Sequence, residues 1–347
     1  MSLHDLPTPR KRSRLGLYMP FMLTLVFALV WSAGWLWLRG EARTRMDAGV
    51  AQLKRAGYEV TWKERGISGY PFRLNVTLIE PRVRDPSGWA LEAPRIESQA
   101  YAYSPTHWII AAPDSITFVR PQGGPVKVSG KLIRASLTHL TNTPPSFSFE
   151  GVGLTFQPGP GARPFGLSAA ERVEFHLRQG PDDEGGVFVT VDKGKAQLTG
   201  LLGRIAGDGP ISIAWNATLS KISAFRGEDW PAAVRNWTAA GGEMHVRQAG
   251  LTAGQALIGV KSGTLTAGAD GRLRGALDVT LREAPRALSV MGQTGAIEPE
   301  RADAAALVAA ARQGTGDIAT ATINFEAGQT TLGPVGLAPA PKVYEVR

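Results

Sequence analysis

The sequence predicts a mainly β protein: a long curved antiparallel sheet with a few late helices, preceded by a single N-terminal transmembrane helix. Three observations lead there. Leu15–Leu38 is an apolar run of 24 residues without a charge. From Tyr58 onward, apolar and polar residues alternate with a period of two, the signature of half-buried strands. Gly (41) and Pro (24) together make up about 19% of the 347 residues, against roughly 12% on average, and are scattered as turn punctuation. Hydrophobic (43%) and charged (20%) contents are ordinary for a globular chain and exclude wholesale disorder.

Residues 1–14 form a short tail with Arg10, Lys11, Arg12 and Arg14. Residues 15–38 follow as the span. As a helix they reach about 36 Å, enough for a hydrocarbon core of about 30 Å. The run is too long for the apolar region of a signal peptide, and Trp31, Trp35 and Trp37 stand where a cleavage site would need small residues. These tryptophans are expected at the membrane–water interface. Pro20 falls in the first turns, where a missing backbone donor costs least. Beyond the span, Arg39, Arg43 and Arg45 are diluted by Glu41 and Asp47. The positive-inside rule then places the tail in the cytoplasm and the remainder across the membrane. A buried core helix would leave the basic tail and the tryptophan belt without a reason.

Residues 39–57 read as a juxtamembrane amphipathic helix. Ala42, Met46, Val50 and Leu53 recur at helical spacing, and Gly57 suits the position after its end. Residues 58–347 are the β-rich body, with a soft subdivision near 225–230. Tyr58, Val60 and Trp62 begin the alternation, and Phe72, Leu74, Val76 and Leu78 continue it. Further strands are expected at Ala90–Ala102, Ser115–Arg120, Val126–Leu140, Ser146–Phe156, Arg172–Leu177, Gly186–Val191 and Ile211–Ile222. Asp270-Gly271 between two alternating runs signals a type I′ hairpin turn. A last strand pair is expected at Ala319–Ala327 and Gln329–Leu332. Helices are expected at Pro231–Ala240, Pro285–Met291 and Pro299–Gln313, the last stopping at Gly314. The absence of βαβ alternation argues against a parallel doubly wound sheet.

Chemistry is scarce. Without cysteine there is no disulfide, thiolate metal site or cysteine nucleophile. The five histidines never pair at metal-ligand spacing. Gly66-Ile67-Ser68-Gly69-Tyr70 lacks the last glycine of a nucleophile elbow and precedes a strand. Asp182-Asp183-Glu184 lacks the alternate spacing of a calcium loop and reads as a solvated turn. No dinucleotide or P-loop motif is present. No catalytic, cofactor or metal residue is assigned, and nucleic acid is not an expected partner. The formal net charge of +8 suits an anionic lipid surface, and equally a mildly basic solvated one.

The stretch GISGYPFRLNVTL stands out. Gly66, Gly69, Tyr70 and Pro71 are expected to form a structural corner that aims the chain into the next strand. Phe72, Leu74, Val76 and Leu78 then present one apolar sheet face, a candidate groove, with Arg73 turned the other way. GYPFRLNVTLIEPRV, WALEAPRIESQAYAYSPTHW and the ending GQTTLGPVGLAPAPKVY resemble an uncharacterised family of alphaproteobacterial envelope proteins, domain of unknown function 2125. That family implies no activity or catalytic residue. The anchor, the β-rich body and strand pairs such as GTLTAGADGRLRGALDVTL are more distantly similar to AsmA-type envelope proteins. This second resemblance implies lipid transport and envelope maintenance.

Two functions are expected to compete. One is an anchored β-scaffold that binds or handles phospholipid or another amphiphile on an open apolar face. The alternative is an anchored interaction or assembly protein with a closed core and no ligand, whose edges bind other envelope proteins. An enzyme would need carboxylates distant in sequence to converge.

Overall fold

The computed structural model describes residues 15–140, 144–197, 201–227, 229–312 and 318–344. The basic tail residues Arg10, Lys11, Arg12 and Arg14, and the helix stop at Gly314, lie outside them. The protein is mainly β, with one large antiparallel sheet, a few C-terminal helices and one N-terminal apolar helix. That helix, α1 (Leu15–Arg55), runs without a break through both segments read as helical in the sequence, with Pro20 in its second turn.

The sheet is a meander in which neighbours in sequence are neighbours in space. Its first ten strands are five long strands, each kinked once. They are β1 (Glu59–Thr61) with β2 (Glu64–Ser68), β3 (Arg73–Ile79) with β4 (Arg82–Arg84), and β5 (Ala90–Glu92) with β6 (Arg95–Tyr101). β7 (Ser104–Ala111) with β8 (Ile116–Arg120), and β9 (Gly124–Ser129) with β10 (Leu132–Thr138), complete the set. In each adjacent pair the halves nearer the Gly69–Phe72 turn pair with each other (β2–β3, β3–β6, β6–β7, β7–β10), and the other halves do likewise (β1–β4, β4–β5, β5–β8, β8–β9). β11 (Ser146–Pro158) spans both halves, pairing β10 before Gly153 and β9 after it.

The kinks have a chemical cause. Pro81 and Pro94 lack the backbone donor a straight ladder needs, so each strand bends there. The bends face one another and stay hydrogen-bonded: Glu80 N–H donates to the Pro94 carbonyl at 2.9 Å and Ala93 N–H to the Pro81 carbonyl at 3.2 Å. Ala112, Val128, Ile133 and Leu154 pack along this crease with Phe118, Phe149 and Phe156. The expected strand Ala90–Ala102 is thus two strands, and so is Val126–Leu140.

From β11 onward the strands are no longer divided at the crease: β12 (Leu167–Gln179), β13 (Gly185–Ala196), β14 (Ile211–Leu219), β15 (Met244–Ala253), β16 (Ala256–Ala267), β17 (Leu273–Arg282), β18 (Ile318–Glu326), β19 (Gln329–Leu332) and β20 (Val335–Pro339). β14 and β15, on either side of residues 225–230, pair from Ile211↔Ala253 to Leu219↔Met244 with one register shift at Asn216/Ala217. Among the described residues four further α-helices are inserted: α2 (Leu201–Ala206), α3 (Trp230–Ala239), α4 (Ala284–Gln293) and α5 (Pro299–Ala311). Asp229 caps α3, its carboxylate accepting from Ala232 N–H at 2.8 Å. α4 and α5 cover the far end of the sheet, where Leu288, Ala302, Ala305 and Ala309 join Val260, Leu277, Val279 and Phe325 in the largest core cluster.

The Asp270-Gly271 turn is wider than the expected two-residue type I′. Gly268 N–H donates to the Arg272 carbonyl at 2.7 Å, closing a longer loop, and Asp270 accepts from Arg272 N–H at 3.3 Å. The C-terminal segment explains the difference. Val343 N–H donates to the Gly271 carbonyl at 2.7 Å, and Leu273 N–H donates to the Pro341 carbonyl at 2.9 Å. Gly271 has φ +75°, and a Cβ there would lie 2.3 Å from the Tyr344 carbonyl oxygen, so only glycine fits.

α4 and α5 meet with no spare volume. Ala302 is fully buried, and a Cβ at Gly292 would lie 2.8 Å from the Ala302 Cβ. Ala302→Leu is expected to destabilise the fold by about 1–3 kcal/mol through overpacking. Leu307→Ala, at a site 72% exposed on the same helix, should change it by less than about 0.5 kcal/mol. Thermal unfolding followed by circular dichroism compares the two.

Candidate functional site

The residues singled out in the sequence converge on α1. After Ser68 the chain turns through Gly69, Tyr70, Pro71 and Phe72 into β3. Gly69 has φ +107°, and a Cβ there would lie 2.7 Å from the Arg73 carbonyl oxygen, so the tightness of the turn requires glycine. Arg73 N–H closes the turn by donating to the Gly69 carbonyl at 2.9 Å. The Tyr70–Pro71 peptide is cis. Gly66 has a different place from the one expected: it lies inside β2 opposite Thr77, with open space where a Cβ would point. The bend belongs to the residues from Gly69 onward.

This corner is bonded to the apolar helix. Trp31 Nε1–H donates to the Pro71 carbonyl at 2.8 Å, and Trp35 Nε1–H donates to the Arg73 carbonyl at 2.9 Å. The Ser32 and Tyr70 hydroxyls are 2.8 Å apart. The Trp35 and Tyr70 rings meet edge to face at 5.5 Å, and the Trp31 and Phe72 rings at 6.1 Å. Trp35 is buried, Trp31 is half-buried and Trp37 is exposed. Two of the three tryptophans expected in an interfacial belt therefore dock the sheet. The physical reason is that an indole N–H needs an acceptor and the corner offers carbonyls that no strand uses.

Phe72 lies just before β3, is 61% exposed, and stands beside Trp31 of α1. Leu74 and Val76 are buried and Leu78 is half-buried. Farther along α1, Asp47 bonds Arg65 at 2.6 Å, and that contact holds the Asp47 carboxyl below the ordinary aspartate range. Arg65 stands opposite Leu78 in the β2–β3 ladder, so it lies on the Leu74–Leu78 face. α1 thus lies over that face at the sheet's first edge.

From there an apolar row crosses the sheet by direct cross-strand pairing. Val76 faces Ser98, the polar member, and then Ile110, Ala135, Phe149 and Phe175. The row continues through Val189, Trp215 and Ala249 into the core under α4 and α5. A parallel row runs from Leu137 through Phe147, Leu177 and Val187 to Ala217. Phe147, Phe149, Phe175, Leu177, Val187, Val189 and Trp215 are only half-buried. Beside α4 the same face holds an apolar cavity of about 190 Å³ lined by Leu251, Leu257, Leu281, Leu288, Met291 and Leu337. The row across β7, β10, β12 and β13 was not foreseen as a unit. Period two in each strand signals it, but register joins the strands, and register is set by pairing.

Residues 35–341 match the profile of a family described as an uncharacterized protein conserved in bacteria, DUF2125. The chain belongs to the DUF2125 family. No match is found among curated proteins or solved structures. The matched region of this DUF2125 protein begins at Trp35, so it holds the buried indole, the corner and nearly the whole sheet.

The opposite face of the DUF2125 sheet is polar. Glu150 bridges Arg134, at 2.6 Å, and Arg172, and is 13% exposed. Arg172, then Arg134, hold its carboxyl below the ordinary glutamate range. Asp183, in the acidic turn, accepts from the Ser223 N–H and hydroxyl at 2.8 and 2.7 Å, a structural tie between loops. Among the described residues no group of three acidic or histidine side chains is arranged to hold a metal ion.

Two outcomes follow. Trp35→Phe keeps the ring but strands the Arg73 carbonyl, a loss of about 1–3 kcal/mol. Hydrogen exchange at the Arg73 amide should speed up by about fivefold or more while Val191 in β13 stays unchanged. For Glu150, a carboxyl whose pKa is depressed by folding stabilises the fold above its unfolded value. That stability is lost as pH falls through the folded value. Glu150→Gln should thus be less stable than the native protein at neutral pH, with the gap closing in acid. Denaturant titrations across that range measure it.

Proposed function

We propose that this protein is an inner-membrane-anchored scaffold of the bacterial envelope that holds phospholipid or another amphiphile on the apolar face of a periplasmic sheet. The observation that carries this reading is the apolar row itself. It begins beneath the helix apolar enough to cross a membrane, continues over Phe149, Phe175 and Val189 where it is half-buried, and ends beside an apolar cavity at α4. Apolar surface left partly open next to a bilayer is where an acyl chain gains most by leaving water, at about 0.8 kcal/mol per buried methylene. The likeness to AsmA-type proteins points the same way.

The placement rests on charge and length. α1 exposes Phe21, Phe27 and Val30 along its apolar stretch, as a lipid-facing helix would. Four basic residues precede the span and three follow it at close range, which supports a cytoplasmic N-terminus.

The test is photo-crosslinking of the full chain in membranes containing phospholipid with a diazirine in its acyl chain. Crosslinks are expected in the peptides carrying Phe147, Phe149, Phe175 and Leu177, as well as in α1. Phe175→Glu should remove the sheet crosslinks and leave those on α1, with the circular dichroism spectrum unchanged. Crosslinks confined to Tyr18–Leu38 would reduce the lipid contact to that of any anchor and favour the assembly reading.

A further inference from the structure

We propose that the β2–β3 and β6–β7 turns form a second contact with the bilayer that α1 crosses, and that the cleft between them holds the phosphate of a membrane phospholipid. This rests on the reading of α1 as a span, and it adds a site on the face opposite the apolar row.

The pairing Arg73↔Tyr101 sets the two turns side by side at one end of the sheet. Their tips carry Tyr70, Phe72, Tyr101 and Tyr103, which are 55%, 61%, 48% and 68% exposed. Such a cluster of rings is costly in water and suited to the headgroup layer, where one edge is apolar and the other wet. Depth agrees. The corner is bonded to Trp31 and Trp35, eight and four residues before Arg39, the first charge beyond the span. At 1.5 Å per residue the corner sits about 6–12 Å inside that charge, at the boundary of headgroups and acyl chains.

A turn at that depth must satisfy its own polar groups, because lipid offers no partners. This one does. The Pro71 and Arg73 carbonyls accept from the two indoles. Arg73 N–H donates to Gly69 and the Phe72 carbonyl accepts from Ala102 N–H at 2.9 Å. The Tyr70 hydroxyl meets Ser32 on α1.

The cleft supplies charge. Alternation turns Arg73 away from the Leu74 face. Its guanidinium lies 5.8 Å from the centre of the Tyr101 ring and donates to Gln99 Oε1 at 3.3 Å. Arg73 makes no ion pair among the described residues. With Gln99, Tyr101 and His107 it borders a cavity of about 100 Å³. An unpaired guanidinium held at headgroup depth beside further donors is the chemistry that binds a phosphodiester.

The chain has no cysteine, so single labels are unambiguous. Full-length Y103C and F27C, each carrying a fluorophore, are reconstituted in phosphatidylethanolamine–phosphatidylglycerol vesicles with nitroxide lipids. Y103C should be quenched by a nitroxide near the lipid carbonyls and F27C by one near the chain ends. Deep quenching of F27C with none at Y103C would overturn the second contact and leave the span intact. Quenching of neither would overturn both. For the phosphate, R73Q should weaken binding of fluorescent phosphatidylglycerol to the full chain in micelles about fivefold, while R73K stays close to the native protein. Equal binding by R73Q and the native protein would overturn the phosphate site.

Discussion

The sheet depends on one attachment. Two indole N–H groups of α1, from Trp31 and Trp35, reach the Pro71 and Arg73 carbonyls of the first tight corner, and the aromatic rings around them close the contact. Each bond satisfies a carbonyl that the strand ladder leaves over, so breaking one strands both a donor and an acceptor. The Arg65–Asp47 ion pair holds the helix a second time, farther from the apolar stretch. Two attachments along one helix fix an angle as well as a position. The first strands therefore present a defined face to α1, and later strands inherit it through register.

Register carries that geometry across the molecule. Side chains alternate between bulges, so once Val76 faces inward, pairing determines which residue of each neighbouring strand does the same along the row from Ser98 to Ala249. The kinks at Pro81 and Pro94 bend the strands without shifting them, because the opposed bends hydrogen-bond to each other. The result is one face that is apolar from β3 to the core beneath α4 and α5, and another that carries charge networks such as Arg134–Glu150–Arg172. The proposed functions follow this division, with acyl chains on the first face and a headgroup at the membrane end of the second.

Much of this was legible in the sequence. Period two marked most strands, an uncharged run marked α1, and proline at the first turn marked α4 and α5. What escaped had physical causes. β7 carries Pro105 near its start and ends in the unalternating Trp108-Ile109-Ile110, so neither propensity nor period announces it. β15 is interrupted by a bulge, with Asn216 and Ala217 facing Gln248 and Val246 across a skipped residue. Asp270-Gly271 has the composition of a two-residue turn, but the C-terminal segment bonds the Gly271 carbonyl and the Leu273 N–H, and the loop closes more widely between Gly268 and Arg272. At the site itself, the Tyr70-Pro71 corner was visible as a corner, yet its partner was not. Nothing local in Trp31 or Trp35 says that their N–H groups will meet carbonyls some forty residues away. Long-range pairing of this kind is a property of the fold.

The central claim is that the apolar helix and the sheet form one rigid unit through that corner. Electron-spin distance measurement tests it most directly, with nitroxide labels on cysteines placed at Leu36 and Thr106 of the full chain in bilayers. Both positions are exposed, and no native cysteine competes. The account predicts a single narrow distance distribution that broadens when Trp31 and Trp35 are replaced by alanine. A distribution already broad in the native protein, and unchanged by those replacements, would contradict it.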